Sequence, residues 1–332
     1  MAAATAPAPV PTRTRRTPLP PTAAAAAPPA AAPAPDPAPA PDETKLAWTD
    51  FWGNVSKSVW TVLVWGLFLL IVLGPLLTVL LFSLTPSVFE GIRPTTLQWY
   101  RGILSDPVLY YPLVRSFEIA FLVVACQLVF GTLVAYATVR RKVFGPGVMD
   151  AMSNLTIALP SVVIGLALLA FYSPYGPFDA LSSLVFSDPL TLTFTMWIVV
   201  LAHVLETFPY MVRTVGAVLA QVPKNLESAA HSLGAGRFTV FRTVLLPQVK
   251  HSMLAGSVLV FSRSLAEFGA TIVVVSAALK TAPTQIYAQE SAGNLEIAAA
   301  YSVILMLASL LIYLALRRAA AKGMAGIEMH AG

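Results

Sequence analysis

"LESAAHSLGAGRFTVFRTVLLP", Leu226 to Pro247, is the stretch on which the reading of this chain turns. It carries Glu227, His231, Arg237 and Arg242, two glycines and a closing proline, yet apolar runs flank it on both sides. Lys224 to Glu227 reads as a helix entry, with an acid in the first turn where the helix dipole favours it. Ala229 and Ala230 are small enough to let a neighbouring surface approach closely. Gly234 is free to take positive φ, so a bend is expected there. "RFTVFRTVLLP" then reads as a second short helix that stops at or before Pro247. A helix–bend–helix of this kind suits a segment that lies along a membrane face and docks into a groove on another protein. The alternative is a surface loop with no partner.

The flanking composition supplies the membrane. The chain of 332 residues is 57% hydrophobic and 11% charged, with a mean hydropathy of +0.73. That is too little charge to coat a soluble globule of this length, and apolar runs of about 20 residues are long enough to cross a bilayer as helices. The expected fold is all-α: a polytopic membrane protein of about six spans. They fall near Ser58–Leu84, Val114–Val139, Val148–Tyr172, Thr193–Ala220, Met253–Ala277 and Ala298–Leu316. Pro75, Gly131, Pro160, Gly165 and Pro209 lie inside them, which a packed bundle tolerates better than isolated anchors do.

Residues 1–44 are a different material, almost wholly Ala and Pro with no aromatic residue. Repeated proline removes backbone donors, so a disordered, uncleaved tail is expected. A partner-binding or lipid-surface arm through Arg13, Arg15 and Arg16 is the other reading. Residues 45–320 form the membrane domain, with residues 224–247 as its polar loop, and 321–332 a short C-terminal tail.

Basic residues set the orientation. With the N-terminus inside, sixteen of the 21 Lys and Arg residues fall on cytoplasmic segments, four (Arg93, Arg101, Arg115, Lys280) fall outside, and Arg263 lies within a span. Both termini and the Leu226–Pro247 stretch are therefore expected in the cytoplasm, and the protein in the plasma or inner membrane. The lone Cys126 reads as a small buried hydrophobe. Trp48, Trp52, Trp60 and Trp65 cluster where interfacial anchors belong.

No G-x-x-x-x-G-K-[ST] phosphate loop occurs, and no Cys or His cluster has metal-site spacing, so no catalytic or metal residue, cofactor or nucleic-acid partner is expected of this chain. "HVLE", His203 to Glu206, raises the rival idea of a membrane-embedded metalloenzyme, but no further ligand converges on it. Any energy must come from a partner. A charge within a span needs a reason. Arg263 and Glu267 stand four apart, within pairing reach on one helix face. They are either a self-neutralising packing pair or part of a path, with Arg263 offering a guanidinium fork to a passing oxyanion. Ser262 and Ser264 would add hydroxyls to such a path, and Glu206 and His203 could face the same interior. Gly165, Ala167 and Ala170 read as a packing face.

The polar loop resembles the EAA loop of ABC importer permeases: E-A-A, three residues, G, nine residues, then I-x-L-P. Ser228, Ala229, Ala230, Gly234, Val244, Leu246 and Pro247 occupy those places. One departure stands out: the first Glu of the pattern is Ser228, with Glu227 one place earlier. "LPSVVIGLALLAFYSPYGPF" (Leu159–Phe178), "SRSLAEFGATIVVVS" (Ser262–Ser276) and "PTQIYAQESAGNLEIAAAYSVILMLASLLI" (Pro283–Ile312) are similar to segments of sulfate and molybdate permeases, so the likeness covers about residues 55–320. The resemblance implies a coupling helix seated in a cleft of an ABC ATPase dimer, with Glu227, Ser228, Ala229, Ala230, Gly234, Leu246 and Pro247 as its coupling residues. It also implies ATP and Mg²⁺ on that ATPase, an extracytoplasmic binding protein, and a second permease copy, identical or a sister. The cargo implied is a tetrahedral oxyanion; related permeases carry thiamine, polyamines, phosphonates or ferric iron.

Overall fold

The computed structural model describes residues 58–141, 146–184 and 192–328, so the Ala/Pro-rich segment, Trp48 and Trp52 lie outside the described residues. Residues 1–63 and 64–332 form separate units, and the described part of the first, residues 58–63, is helical and exposed. Among the described residues there is no strand. Six helical stretches among the described residues are long and apolar enough to cross a membrane: Ser58–Ser83 (α1), Pro107–Arg140, Ser161–Ser182, Met196–Gln221 (α7), Arg237–Ala266 (α9) and Leu295–Ala315. The second is helix Pro107–Tyr136 (α3) continued by a wide turn, Ala137–Arg141. The sixth belongs to a longer helix, Leu295–Glu328 (α12). Shorter helices complete the order: Gln98–Ser105 (α2), Pro146–Ala158 (α4), Ser161–Tyr172 (α5), Pro177–Ser182 (α6), Lys224–Ser232 (α8), Gly269–Val274 (α10) and Ala282–Ser291 (α11).

α3, α7 and α9 pack on one another and form the centre. In lipid an apolar side chain gains little by leaving one apolar neighbour for another, so close approach and hydrogen bonds decide which helices associate. Met211 of α7 shows the first device. Its side chain occupies space where a Cβ on Gly131 of α3 would lie 2.6 Å away, and a Cβ on Gly256 of α9 would lie 2.8 Å from its sulfur. One flexible knob fills two glycine holes. Gln127 shows the second device: its Nε2 donates to the Val204 carbonyl at 2.6 Å and to Thr207 Oγ1 at 3.1 Å, which fixes α3 against α7. Around them Ile119, Val123, Val199, Val215, Leu245 and Val260 close a buried core. Outside this centre, α12 packs on α9, on α11 and on the Gly74–Ser83 part of α1. There the Tyr301 hydroxyl donates to the Leu109 carbonyl.

Two of the expected spans are broken. The third, expected over Val148–Tyr172, is interrupted at Leu159–Pro160 and becomes α4 and α5. Proline fixes its own φ and disfavours the α region in the residue before it, which ends α4 there. The fifth, expected over Met253–Ala277, begins earlier at Arg237 and ends at Ala266, with α10 as a separate short helix. α12 also runs to Glu328, beyond the expected end at Leu316.

Candidate functional site

Two regions carry the polar residues singled out in the sequence. The first is the turn between α8 and α9. Pro223, extended at ψ 132°, ends the preceding turn and opens α8. α8 closes in a Schellman motif: Ala235 N–H donates to Ala230 O at 3.0 Å and Gly234 N–H to His231 O at 2.9 Å. Gly234 sits at φ +87°, the left-handed conformation that a side chain disfavours, so the expected bend is where the sequence places it. His231 Nδ1, 2.9 Å from the Ala235 carbonyl, adds a tie across the turn.

The expected second short helix does not stop at Pro247. It runs on as α9, with a wide turn at Phe241–Leu245 in which the Leu246 N–H bonds five residues back to Phe241 O. That widening puts Pro247 in the first turn of the regular helix, where its missing donor leaves no bond unmade. Leu246 packs on the core while Pro247 is exposed. The outward surface is made instead by Ser228, Ala229, Leu233 (89% exposed) and Phe238 (74% exposed). Glu227 faces its own chain: its Oε1 lies 2.8 Å from Nε of Arg140.

The second region lies where the broken helices meet. Gly165 of α5 touches the backbone of α10, since a Cβ there would lie 2.6 Å from Ala270 O. A Cβ on Gly269 would lie 2.1 Å from Ser161 Oγ, so the first residues of α5 and α10 sit side by side. A cavity of about 250 Å³ opens beside them, lined by Ser161, Glu206, Arg263, Glu267 and Gly269 together with Ala266 and Phe268.

Inside it the expected Arg263–Glu267 pair is replaced by another. α9 ends at Ala266, Glu267 is extended at ψ 124°, and the two residues no longer share a helical face. Glu267 Oε1 instead accepts the Ala270 N–H at 2.7 Å, capping α10. Arg263 Nη2 donates to Glu206 Oε1 on α7 at 3.1 Å, and its guanidinium carbon stands 5.8 Å from the Tyr210 ring centre. The Arg263 side chain is 49% exposed and that of Glu206 12%. Glu206 Oε2 is buried without a hydrogen-bond partner, so this carboxylate is bonded through one oxygen only.

Glu206 therefore joins Arg263 and Glu267 at the cavity, and His203 does not. His203 is buried, with Nδ1 2.8 Å from Ser264 Oγ and Nε2 2.8 Å from Thr271 Oγ1. Both ring nitrogens are engaged, and the residue staples α7, α9 and α10 together. Ser264 serves that staple, and Ser262 is half-buried and not among the residues that line the cavity. Sequence reasoning missed Ser161, Tyr210 and Arg140. The first was signalled by the "LPS" helix break; the others meet their partners only through tertiary packing.

Comparison with known proteins agrees with this architecture. Residues 127–324 match the family described as binding-protein-dependent transport system inner membrane component. The sulfate transport system permease protein of Salmonella typhimurium is 32% identical over 245 residues, 71% of this chain and 86% of that protein. The molybdenum transport system permease protein of Escherichia coli is 37% identical over 188 residues, 56% of this chain and 81% of that protein. A probable sulfate transport system permease protein of Chlorella vulgaris is 33% identical over 172 residues, and the match spans 64% of its length. Among solved structures, a bacterial ABC transporter involved in import of the acidic polysaccharide alginate superposes with TM-score 0.64. It covers 83% of this chain and 98% of that chain at 15% identity, a likeness of fold.

Proposed function

The chain belongs to the binding-protein-dependent transport system inner membrane components, and from that premise we propose that it is the membrane subunit of an ATP-driven importer for a tetrahedral oxyanion of the sulfate or molybdate kind. Its work is conformational and not chemical. An ABC ATPase dimer, holding ATP and Mg²⁺, closes on α8 from the cytoplasm. An extracytoplasmic binding protein delivers cargo, and a second permease copy completes the path.

One observation carries the coupling reading: Leu233 and Phe238 stand exposed on either side of the Gly234 turn, and α9 runs from that turn, through its wide turn at Phe241–Leu245, to Ala266. From Arg237 to Arg263 a helix rises about 1.5 Å per residue, so a single helix, widened at Phe241–Leu245, links the turn to the polar cavity roughly 40 Å away. Leu233→Asp with Phe238→Asp should leave the protein in the membrane and abolish co-purification with the ATPase; undiminished co-purification would remove the docking assignment.

Arg263 suits an oxyanion cargo because its fork makes paired bonds to such groups, with Glu206 holding it until cargo competes. A second reading, the same machine with a cationic cargo such as thiamine, a polyamine or ferric iron, is favoured by the two carboxylates, Glu206 and Glu267, that line the cavity against one guanidinium. Uptake of labelled sulfate and molybdate beside those cations separates the two.

A further inference from the structure

We infer that Arg140 and Glu227 form an internal latch that makes α8, the end of α3 and the end of α7 move as one body. The inference rests on the reading of α8 as the ATPase-docking helix. α8 buries none of its residues, and it is bounded by Pro223 on one side and by the left-handed Gly234 on the other. Apart from its contact with the wide turn at Phe241–Leu245, α8 packs little on the rest of the chain, and a helix so lightly held passes little displacement to the spans.

The Arg140 guanidinium removes that freedom. Its Nε lies 2.8 Å from Glu227 Oε1, while its Nη2 donates at 2.6 Å to the carbonyl of Val222, the residue that ends α7. Arg140 itself sits in the wide turn that closes α3. One planar guanidinium at the end of α3 thus hydrogen-bonds the end of α7 and stands in ion-pair contact, without hydrogen-bond alignment, with Glu227 of α8. A lysine ammonium on its flexible stem reproduces that double placement poorly. The Arg140 side chain is 4% exposed and that of Glu227 17%, so water screens the pair little. Glu227 is turned inward while its neighbours Ser228 and Ala229 face outward. The acid of this docking helix therefore serves its own chain and not the ATPase. Arg140 and Glu227 are positioning residues for the power stroke.

The test measures cargo moved per ATP hydrolysed in vesicles holding the permease, its ATPase and the binding protein. Glu227→Gln and Arg140→Gln should each still co-purify with the ATPase and permit hydrolysis, yet move at least tenfold less cargo per ATP. The double variant should fall no further than either single. Unchanged cargo per ATP in the singles, or losses that multiply in the double, would overturn the latch. A Glu227→Gln protein that no longer binds the ATPase would place the acid at the ATPase and also overturn it. Loss of docking itself is read separately, from Leu233→Asp with Phe238→Asp. As a second arm, Arg140→Cys with Glu227→Cys in a Cys126→Ser background is bridged by a short bifunctional thiol reagent. The covalent bridge should restore transport that the unbridged protein lacks, and failure to restore it would count against the single moving body.

Discussion

Removing Arg263 and removing Glu206 should not cost the same, although the two side chains form one ion pair. Breaking a fully buried pair costs about 3–5 kcal/mol, because a charge is left without water or partner. Here burial is one-sided, with the Arg263 side chain 49% exposed and that of Glu206 12% exposed. Arg263→Met strands a largely buried carboxylate whose other oxygen already has no partner, so about 2 kcal/mol is expected after discounting for the open side. Glu206→Gln leaves a half-exposed guanidinium that can still bond the amide oxygen and rest over Tyr210, and should cost under about 1 kcal/mol. Melting of the detergent-solubilised protein reads the difference as a drop of about 5 °C for Arg263→Met and about 2 °C or less for Glu206→Gln. Arg263→Met combined with Glu206→Met should recover most of the loss, whereas Arg263→Met combined with Glu267→Leu should not, because Glu267 caps α10 instead of pairing with Arg263. Equal costs for the two single changes, or better recovery in the Glu267 combination, would refute the geometry. Oxyanion uptake by the stable double apolar variant would refute the role of Arg263 in the path.

Three further outcomes follow from the same contacts. Gly165→Leu must push α5 from α10 by the better part of an ångström or more, because even a Cβ would stand 2.6 Å from Ala270 O. It should lower stability by about 1–3 kcal/mol and reduce uptake, read from the same melting curves and vesicles. Gly234→Trp meets no atom of its own chain near Cβ but must adopt φ +87°; the protein should insert normally and fail to co-purify with its ATPase, and normal uptake would contradict the coupling assignment. Reporter fusions after Arg141, Lys224 and Arg318 should read cytoplasm, and fusions near Asp179 and Glu290 the outside, with any inversion breaking the six-span topology.

The spans and the bend were legible in the sequence because each rests on local physics. Apolar length marks a span whatever packs against it, and a glycine at the right offset closes a helix whatever follows. The sequence misled where a local rule met a tertiary accommodation. Pro247 looked like a stop, but the wide turn at Phe241–Leu245 absorbs it into the start of the regular helix. Arg263 and Glu267 looked like a pair on one face, but α9 ends between them and the real partner, Glu206, comes from another span. His203 looked available, yet Ser264 and Thr271 hold both of its nitrogens. Arg140 carried no signal beyond its position at the end of a span, since its two partners lie more than eighty residues away.

The central claim, that this chain converts ATPase closure into movement of an oxyanion across the membrane, is tested most directly by reconstitution. The permease, its ATPase and the binding protein are placed in vesicles, and accumulation of labelled sulfate and of molybdate is followed with ATP present and absent. ATP-dependent accumulation of at least one of them, lost when Leu233 and Phe238 are both changed to Asp, is the result expected. Accumulation that needs no ATP, or that survives the double change, would contradict the account.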